Sequence, residues 1–319
     1  MKILSHKDIV SLKIDPKNCI NWVEDMLVGK GKVILPAKIS IKPSDEIFYN
    51  VMPSILPENN AAGLKVVTRY PGRLPSLDSQ IMIFDFESGK INALLDGNYI
   101  TAMRTGAVAA HSIKLLAKKD FSKIGFIGLG NQARATIKVL AAILQNRKFT
   151  IKLMKYKDQH EIFERYVRTL SGTENITFEY CETYRDTVKG SDVIVSSATY
   201  FATDICEDDC FDEGCLVVPI HTRGFMNCDL FFDKVFADDT DHVKGFKYFD
   251  EFREFAEISD VLSGKSKGRT NDNERILAYN IGLSIHDVYF AEQIYRLATE
   301  AGIGTEIDLY PPTEKFWLE

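Results

Sequence analysis

The stretch that decides the fold is residues 121–133, which read FSKIGFIGLGNQA. An apolar segment from Phe121 to Ile127 leads directly into a glycine-rich turn, and an amphipathic helical pattern follows as far as Leu144. Strand, glycine turn and helix in this order are typical of the phosphate-binding element of a dinucleotide fold. The alternative, a glycine turn in a parallel sheet without any ligand, is disfavoured by this context.

There is a physical reason for a small residue at each of these positions of the turn. Gly128 permits the tight turn, Gly130 lets the backbone approach a pyrophosphate, and a small third residue allows the helix to pack closely on the strand. The first amides of the helix and the positive end of its dipole attract the pyrophosphate charge. The residues predicted to bind the cofactor are Gly128, Gly130, Asn131, Gln132, Ala133, Thr105, Ala198 and Thr199.

Strands and helices alternate after this turn. Strand patterns at 150–156, 176–180 and 192–196 are separated by helical patterns at 159–170 and 184–189, so the sequence predicts a parallel sheet. Further strands are predicted at 214–221 and 234–238. The last eighty residues are predicted to be helical, at 248–258, 275–286 and 287–301.

The first hundred residues predict a different, α+β unit. It has a short helix at 19–27 and strand patterns at 32–41, 47–51, 63–69, 80–85 and 91–95. A long alanine-rich helix is predicted from Tyr99 to Lys118. We therefore place a domain boundary within this helix, near Ala110.

Composition limits the classes of protein that remain. The chain has 319 residues, of which 45% are hydrophobic and 26% charged, and this excludes disordered, collagen-like and coiled-coil proteins. A net charge of −6 predicts no general attraction to nucleic acid or to an anionic membrane, so anionic ligands need local positive groups. Six cysteines are too few for a disulfide scaffold, and no signal peptide or transmembrane segment is evident. We expect a cytoplasmic protein with reduced thiols.

The end of the second strand of the parallel sheet bears on the choice of cofactor. Lys155 and Lys157 would attract a 2′-phosphate, whereas an NAD enzyme usually places an acid there for the ribose hydroxyls. The nearest acid, Asp158, comes one position late and keeps NAD open. The sequence therefore favours NADP over NAD.

Taken together, these motifs resemble the ornithine cyclodeaminase/μ-crystallin family over nearly the whole chain. The most specific stretch is Phe84 to Ala110, which contains Ala93-Leu94-Leu95-Asp96-Gly97 and Thr101-Ala102-Met103-Arg104-Thr105-Gly106-Ala107. The other matching stretches are Met52-Pro53, Gly63-Leu64-Lys65, the turn at 128–133 and Gly282-Leu283-Ser284-Ile285-His286-Asp287.

The resemblance implies an α/β protein that forms a homodimer. A Rossmann-type, doubly wound parallel sheet over 111–287 would be inserted into a discontinuous α+β domain for substrate binding and dimerisation, built from 1–110 and completed by 288–319. The resemblance also implies that Lys65 and Arg104 hold the carboxylate of an amino acid over the nicotinamide, with help from Lys38. The side-chain chemistry agrees, because arginine presents a planar fork and lysine a point charge to a carboxylate.

Two departures from the family pattern bear on the substrate. Arg223 stands where cyclodeaminases carry an aspartate that assists proton transfer, and Asn50 stands where they carry an acid for the distal amine. A site with these exchanges suits a second carboxylate or a carbonyl better than a cationic side chain. We assign Asn50 and Arg223 to substrate binding.

The expected reaction is hydride transfer between NADP or NAD and the α-carbon of an amino or imino acid, as in ketimine reductases and amino-acid or opine-type dehydrogenases. The proton would come from water, Lys65 or His221, since a histidine suits general acid catalysis. Two alternatives remain: a true ornithine cyclodeaminase with catalytic NAD, and a non-catalytic, μ-crystallin-like protein that binds NADPH or another ligand.

A metal site is not expected. The spacing of Cys206, Cys210 and Cys215 fits no standard zinc pattern, and the acidic run Asp238 to His242 is better explained as a solvated strand end than as a cation site. The expected partners are a small amino or imino acid and a second copy of the chain.

Overall fold

The structure is a computed structural model that describes residues 1–198, 201, 203–220, 224–309 and 312–317. The strands in these ranges are β1 (Lys2–Leu4), β2 (Ile39–Ile41), β3 (Phe48–Leu56), β4 (Ala61–Arg69), β5 (Leu77–Asp85), β6 (Ile91–Asp96), β7 (Lys123–Ile127), β8 (Phe149–Met154), β9 (Ile176–Cys181), β10 (Val193–Ser196), β11 (Leu216–Pro219), β12 (Lys234–Ala237), β13 (Phe255–Glu257), β14 (Ile276–Tyr279) and β15 (Thr305–Glu306).

The helices are α1 (His6–Ser11), α2 (Pro16–Val28), α3 (Asn98–Leu116), α4 (Asn131–Ile143), α5 (Gln159–Val167), α6 (Tyr184–Val188), α7 (Thr240–Val243), α8 (Ile258–Leu262) and α9 (Ser284–Glu300). In the described part of the chain, no helix is long and apolar enough to cross a lipid bilayer.

The chain divides into two compact units. The first consists of Met1–Lys13, Lys32–Ile100 and the chain from Asp287 onwards; the second consists of Ile14–Gly31 and Thr101–His286. The first unit is therefore discontinuous in sequence. The division falls at Ile100 rather than near Ala110, so most of α3 belongs to the second unit.

The segment Ile14–Gly31 also belongs to the second unit, although the sequence analysis placed it in the opening domain. Its helix α2 begins at Pro16 after Asp15, whose side chain accepts a hydrogen bond from the amide of Lys17. The buried face of α2 packs on α4 and α8. The burial of this apolar face determines the unit to which α2 belongs, whereas its position in the sequence does not.

The first unit is built on a seven-stranded mixed sheet in the order β15-β1-β6-β5-β4-β3-β2. Consecutive strands from β2 to β6 pair antiparallel, and β1 joins β6 in parallel. Burial alternates along the start of β4, where Ala61, Gly63 and Lys65 face inwards. This alternation, which is typical of a sheet with one covered face, places a lysine on the covered side.

The second unit is built on an eight-stranded sheet in the order β13-β12-β14-β11-β10-β7-β8-β9, and all its pairings are parallel. The run β9-β8-β7-β10-β11 is the strand order of a doubly wound nucleotide fold, in which the order reverses between β7 and β10. The predicted α/β fold class is confirmed. Most of α9, from Asp287 onwards, belongs to the first unit.

Two predicted helices are wrong. The segment 275–286 contains the strand β14 followed by a loop, and 248–258 contains a short 3-10 turn and the strand β13. All four residues of β14 are buried, because a central parallel strand is covered on both faces. Such a short apolar run has no alternation that would distinguish it from a buried helix.

An acidic side chain is buried in the apolar core of the second unit. The hydroxyl of Tyr279 donates to Oδ1 of Asp229, and both residues lie among buried aromatic and cysteine side chains such as Phe232 and Cys228. Burial raises the pKa of Asp229 to about 6, and the hydrogen bond from Tyr279 opposes this change. The protonated form therefore favours folding below the unfolded pKa, and this contribution is lost as the pH rises through 6.

We expect Asp229→Asn to remove this dependence, because an amide stays neutral and still accepts from Tyr279. The free energy of unfolding of the variant relative to the unmodified protein should rise by about 2 kcal/mol between pH 4 and pH 7. Urea unfolding followed by circular dichroism at these pH values measures the difference. The exposed Asp250→Asn is the control, and a difference for Asp229→Asn that does not change with pH would contradict the assignment.

Candidate functional site

The second unit contains a cavity of about 500 Å³ at the carboxyl ends of β7 and β10, where the strand order reverses. Ligands of doubly wound folds bind at this place. The lining residues come from the turn after β7, the end of β8, the start of α5 and α6, and the loop after β10: Ile127, Gly128, Leu129, Gly130, Met154, Tyr156, Gln159, Tyr184, Ser197 and Ala198.

The glycine at the first position of the turn is required by crowding. Gly128 has φ +81°, and a β-carbon placed on it would lie 2.4 Å from the amide nitrogen of Ala198. The hydroxyl of Ser197 donates to the carbonyl oxygen of Gly128 at 2.8 Å, and its amide donates to Ile127 at the same distance. The turn after β7 and the chain after β10 are therefore in direct contact, which excludes any side chain at residue 128.

The second glycine leaves open space. Apart from its chain neighbours, no described residue has an atom within 4 Å of the position that a β-carbon of Gly130 would occupy. Gly130 is also the N-cap of α4 and provides no side-chain cap for the amides that follow it, beginning at Asn131. Asn131 is exposed, Gln132 half-buried and Ala133 buried against the sheet. An uncapped helix start beside a cavity suits an anionic group.

The two lysines proposed for a 2′-phosphate flank this cavity rather than line it. The ammonium of Lys155 is hydrogen-bonded to the Glu182 carboxylate, and that of Lys157 lies 5.3 Å from the ring centroid of Tyr156. Tyr156 and Gln159 contribute to the lining, and the sequence analysis missed both. Both residues follow the second strand of the parallel sheet, and this position is the sequence feature that could have identified them as lining residues.

Arg104 and Thr105 lie in the first turns of α3, and both are buried. The Arg104 guanidinium lies against Gly282, in the loop between β14 and α9. The structure thus places Arg104, Thr105, the turn at 128–133 and Ala198 in the same unit.

The first unit carries Lys65, Asn50 and Lys38. Lys65 is fully buried on β4, and its ammonium lies 2.8 Å from Oδ1 of Asp287, which is also fully buried. Breaking such a buried pair costs about 3–5 kcal/mol, because one charge is left without its partner. Asp287 is the last residue of the motif Gly282-Leu283-Ser284-Ile285-His286-Asp287, but no role for it is predicted from the sequence.

Asn50 lies on the same sheet face as Lys65. In the β3–β4 register, Met52 is opposite Lys65 and Asn50 is opposite Val67, so Asn50 and Lys65 are diagonal neighbours, about 7–8 Å apart. The Asn50 carbonyl oxygen accepts from the hydroxyl of Ser40 on β2 at 2.5 Å. Lys38 is exposed in the segment just before β2.

Three of the predicted residues, Thr199, His221 and Arg223, lie outside the described residues. Within the described residues, no group of three or more histidine, cysteine, aspartate or glutamate side chains is arranged to hold a metal ion.

The nodulation efficiency protein NfeD of Rhizobium meliloti is 29% identical over 315 residues, which cover 95% of this chain and 97% of NfeD. The Δ1-pyrroline-2-carboxylate reductase of Thermococcus litoralis, solved in complex with NADH and L-proline, superposes with a TM-score of 0.84 at 26% identity, covering 96% of this chain and all of that chain.

An archaeal alanine dehydrogenase dimer with bound NAD also superposes with a TM-score of 0.84, at 24% identity over 97% of this chain and 99% of that chain, and this likeness concerns the fold. The model of the ornithine cyclodeaminase/mu-crystallin family matches residues 2–302, nearly the whole chain. The glycine turn, the parallel sheet with its order reversed beside that turn, and this match lead to one conclusion: the chain belongs to the ornithine cyclodeaminase/mu-crystallin family.

Proposed function

We propose that the protein is an NAD(P)-dependent oxidoreductase acting on the C–N bond of an amino or imino acid, as a ketimine reductase or an amino-acid or opine-type dehydrogenase. The observation that carries the proposal is the intact nucleotide cavity at β7 and β10 in a chain of this family. Support for the substrate class comes from the reductase of Thermococcus litoralis, whose structure contains NADH and L-proline.

The residues of the second unit fit a dinucleotide. In the proposal, the amides at the start of α4 would hold the pyrophosphate beside Gly130, because no side chain of the described residues occupies that space. Tyr156 and Gln159 would hold the ribose of the adenosine half, and Ser197 and Ala198 would hold the half that carries the nicotinamide. The nicotinamide, when bound, supplies or accepts the hydride.

Lys65 and Arg104 hold the carboxylate of the substrate in this proposal, and Lys38 assists. Arg104 supplies a two-pronged set of donors that fixes the plane of the carboxylate, while Lys65 supplies a compact charge. Asp287 keeps the Lys65 ammonium in place through the bond of 2.8 Å. A carboxylate held in this way has its α-carbon and imine nitrogen in a fixed position, which favours transfer of a hydride to carbon. The proton for nitrogen comes from water, Lys65 or His221.

Reduction of an imine is favoured over cyclodeamination by the side chains around this position. Asn50 and its partner Ser40 are neutral and offer no charge to a distal ammonium group. Arg223 occupies the sequence position of the aspartate that assists proton transfer in cyclodeaminases. We assign Asn50 and Arg223 to the distal part of the substrate, and Arg223 favours a carboxylate or carbonyl there.

We further propose that the protein is a homodimer formed through the first unit. Its edge strand β2 exposes Ile39 and Ile41 to 58% and 57%, and an apolar edge of this kind is usually covered by a partner. The archaeal alanine dehydrogenase of similar fold is a dimer. Light scattering should give twice the mass of one chain; a single-chain mass at micromolar concentration would refute the dimer.

A cytoplasmic location is part of the proposal. All six cysteines are free thiols, as expected for a reducing compartment. Cell fractionation should recover the protein with cytoplasmic markers, and recovery outside the cytoplasm would exclude this location.

The first test is turnover of Δ1-pyrroline-2-carboxylate with NADH or NADPH, followed by loss of nicotinamide absorbance. We expect reduction by the unmodified protein and a fall of about a hundredfold in kcat/KM for Arg104→Ala, because charge-assisted hydrogen bonds to the carboxylate are lost. The dissociation constant of NADPH, measured by nicotinamide fluorescence, should change by less than about twofold.

The other family activities would appear as different results. Proline and ammonia formed from ornithine without net turnover of the nucleotide would make the protein a cyclodeaminase. Tight NADPH binding without turnover of a panel of imino, keto and amino acids would make it a binding protein. Unchanged kcat/KM in Arg104→Ala would remove Arg104 from the site.

The second test concerns preference between the two nucleotides. We propose that NADP is preferred because of Lys155 and Lys157, so Lys157→Ala should raise the KM for NADPH about tenfold and the KM for NADH less than twofold. Glu182→Gln should lower the KM for NADPH, since it leaves Lys155 without its carboxylate partner. The exposed Lys148, at the opposite end of β8, is the matched control. Equal effects of Lys157→Ala on both nucleotides would contradict the preference.

A further inference from the structure

The contact between Arg104 and Gly282 is not explained by the function proposed above. Gly282 is the first residue of the motif that ends at Asp287, and it lies in the loop between β14 and α9. Its φ angle is +94°, a backbone conformation that favours glycine. The guanidinium of Arg104 occupies the space beside its α-carbon.

A side chain on Gly282 would require the guanidinium of Arg104 to move. A β-carbon on Gly282 would lie 2.5 Å from Nη1 of Arg104, 3.3 Å from Cζ and 3.4 Å from Nη2. These three atoms belong to the part of the guanidinium that binds carboxylates. An added methyl group would therefore displace the two amino groups on which bidentate binding depends.

The backbone amide of Gly282 is hydrogen-bonded to a buried acidic side chain, that of Asp238. Its amide donates to Oδ2 of Asp238 at 2.6 Å, and Asp238 directly follows β12, the neighbour of β14 in the sheet. Burial raises the pKa of Asp238, and the hydrogen bond from Gly282 opposes this change. A carboxylate is a strong hydrogen-bond acceptor, and this bond fixes the backbone of Gly282 relative to the end of β12.

Further contacts hold Asp238 itself. The ammonium of Lys30 donates to the carbonyl oxygen of Asp238 at 2.8 Å and lies 2.7 Å from Asp239 and 2.6 Å from Glu257.

The loop is also tied to the helix that carries Arg104. The hydroxyl of Ser112, two turns further along α3, donates to the Asn280 side chain at 3.0 Å. This bond ties α3 to the start of the loop that carries Gly282.

We propose that Gly282 and Asp238 are positioning residues for Arg104: Gly282 provides the surface on which the guanidinium lies, and Asp238 holds that surface in place. The inference rests on the proposed role of Arg104 as a ligand of the substrate carboxylate. Neither residue needs to touch the substrate, because both act through the orientation of the arginine fork.

The test compares Gly282→Ala with Gly264→Ala. Gly264 has a similar positive φ of +75°, but no other described residue outside its chain neighbours comes within 4 Å of its β-carbon position, so its variant shares the backbone strain without the clash. Gly282→Ala should raise the KM for Δ1-pyrroline-2-carboxylate at least tenfold and weaken binding of the unreactive pyrrole-2-carboxylate by a similar factor. Gly264→Ala should change both by less than twofold, and neither variant should change NADPH binding more than twofold.

A double-mutant cycle shows whether the effect passes through Arg104. In an Arg104→Ala background, Gly282→Ala should change pyrrole-2-carboxylate binding by less than twofold, because the displaced group is already absent. A full tenfold effect in that background would overturn the proposal. The proposal would also be overturned if Gly282→Ala bound pyrrole-2-carboxylate as tightly as the unmodified protein, provided that Arg104→Ala alone weakened this binding. If Arg104→Ala alone has no effect on binding, the proposed function of Arg104 fails instead.

Asp238 provides a second, independent variant. Asp238→Ala removes the acceptor of the Gly282 amide and should raise the same KM about tenfold, whereas Asp238→Asn keeps an acceptor oxygen and should restore most of the affinity. Thermal unfolding measured on both variants identifies any loss of folded protein. Equal KM values for Asp238→Ala and the unmodified protein, with both folded, would remove Asp238 from the proposal.

Discussion

The close approach of two chain segments at the carboxyl ends of β7 and β10 is the constraint on which the second unit depends. Parallel pairing brings both segments to the same edge of the sheet, and the amide of Ala198 then occupies the space beside the α-carbon of Gly128. Only glycine fits there. Among the described residues, the same turn also leaves the space beside Gly130 open and starts α4 without a side-chain cap, so the turn that allows the close packing also borders a cavity suited to an anionic group.

Buried charge organises the first unit in a comparable way. Lys65 and Asp287 are 222 positions apart in sequence, and each would be costly to bury alone. Their pairing ties the beginning of α9 to β4 and gives the lysine a defined position on the covered face of the sheet. The arrangement suits a residue that must present a positive charge from an interior position, because the Asp287 carboxylate lies 2.8 Å from the ammonium where solvent does not reach.

Local patterns predicted much of the fold. The turn at 128–133, the alternation of strands and helices up to β10, and the antiparallel strands β3 to β6 have clear periodicity or turn chemistry. Local sequence gave a wrong prediction at β14, whose four buried residues were predicted to be part of a helix. It also placed the domain boundary near Ala110 rather than at Ile100. Neither failure was avoidable from local sequence, because burial on both faces of β14 and the docking of α2 depend on distant segments.

For the candidate site as well, some features follow from local sequence and others depend on packing between distant segments. The sequence by itself determined the family, the glycine turn and the basic residues available for anions, since these follow from residue type and spacing. Only the tertiary structure decided their partners: Asp287 for Lys65, Glu182 for Lys155, and Gly282 for Arg104. The physical reason is that the charge and shape complementarity of a buried group is satisfied by whichever residue the packing brings within a few ångströms, and sequence separation does not restrict that choice.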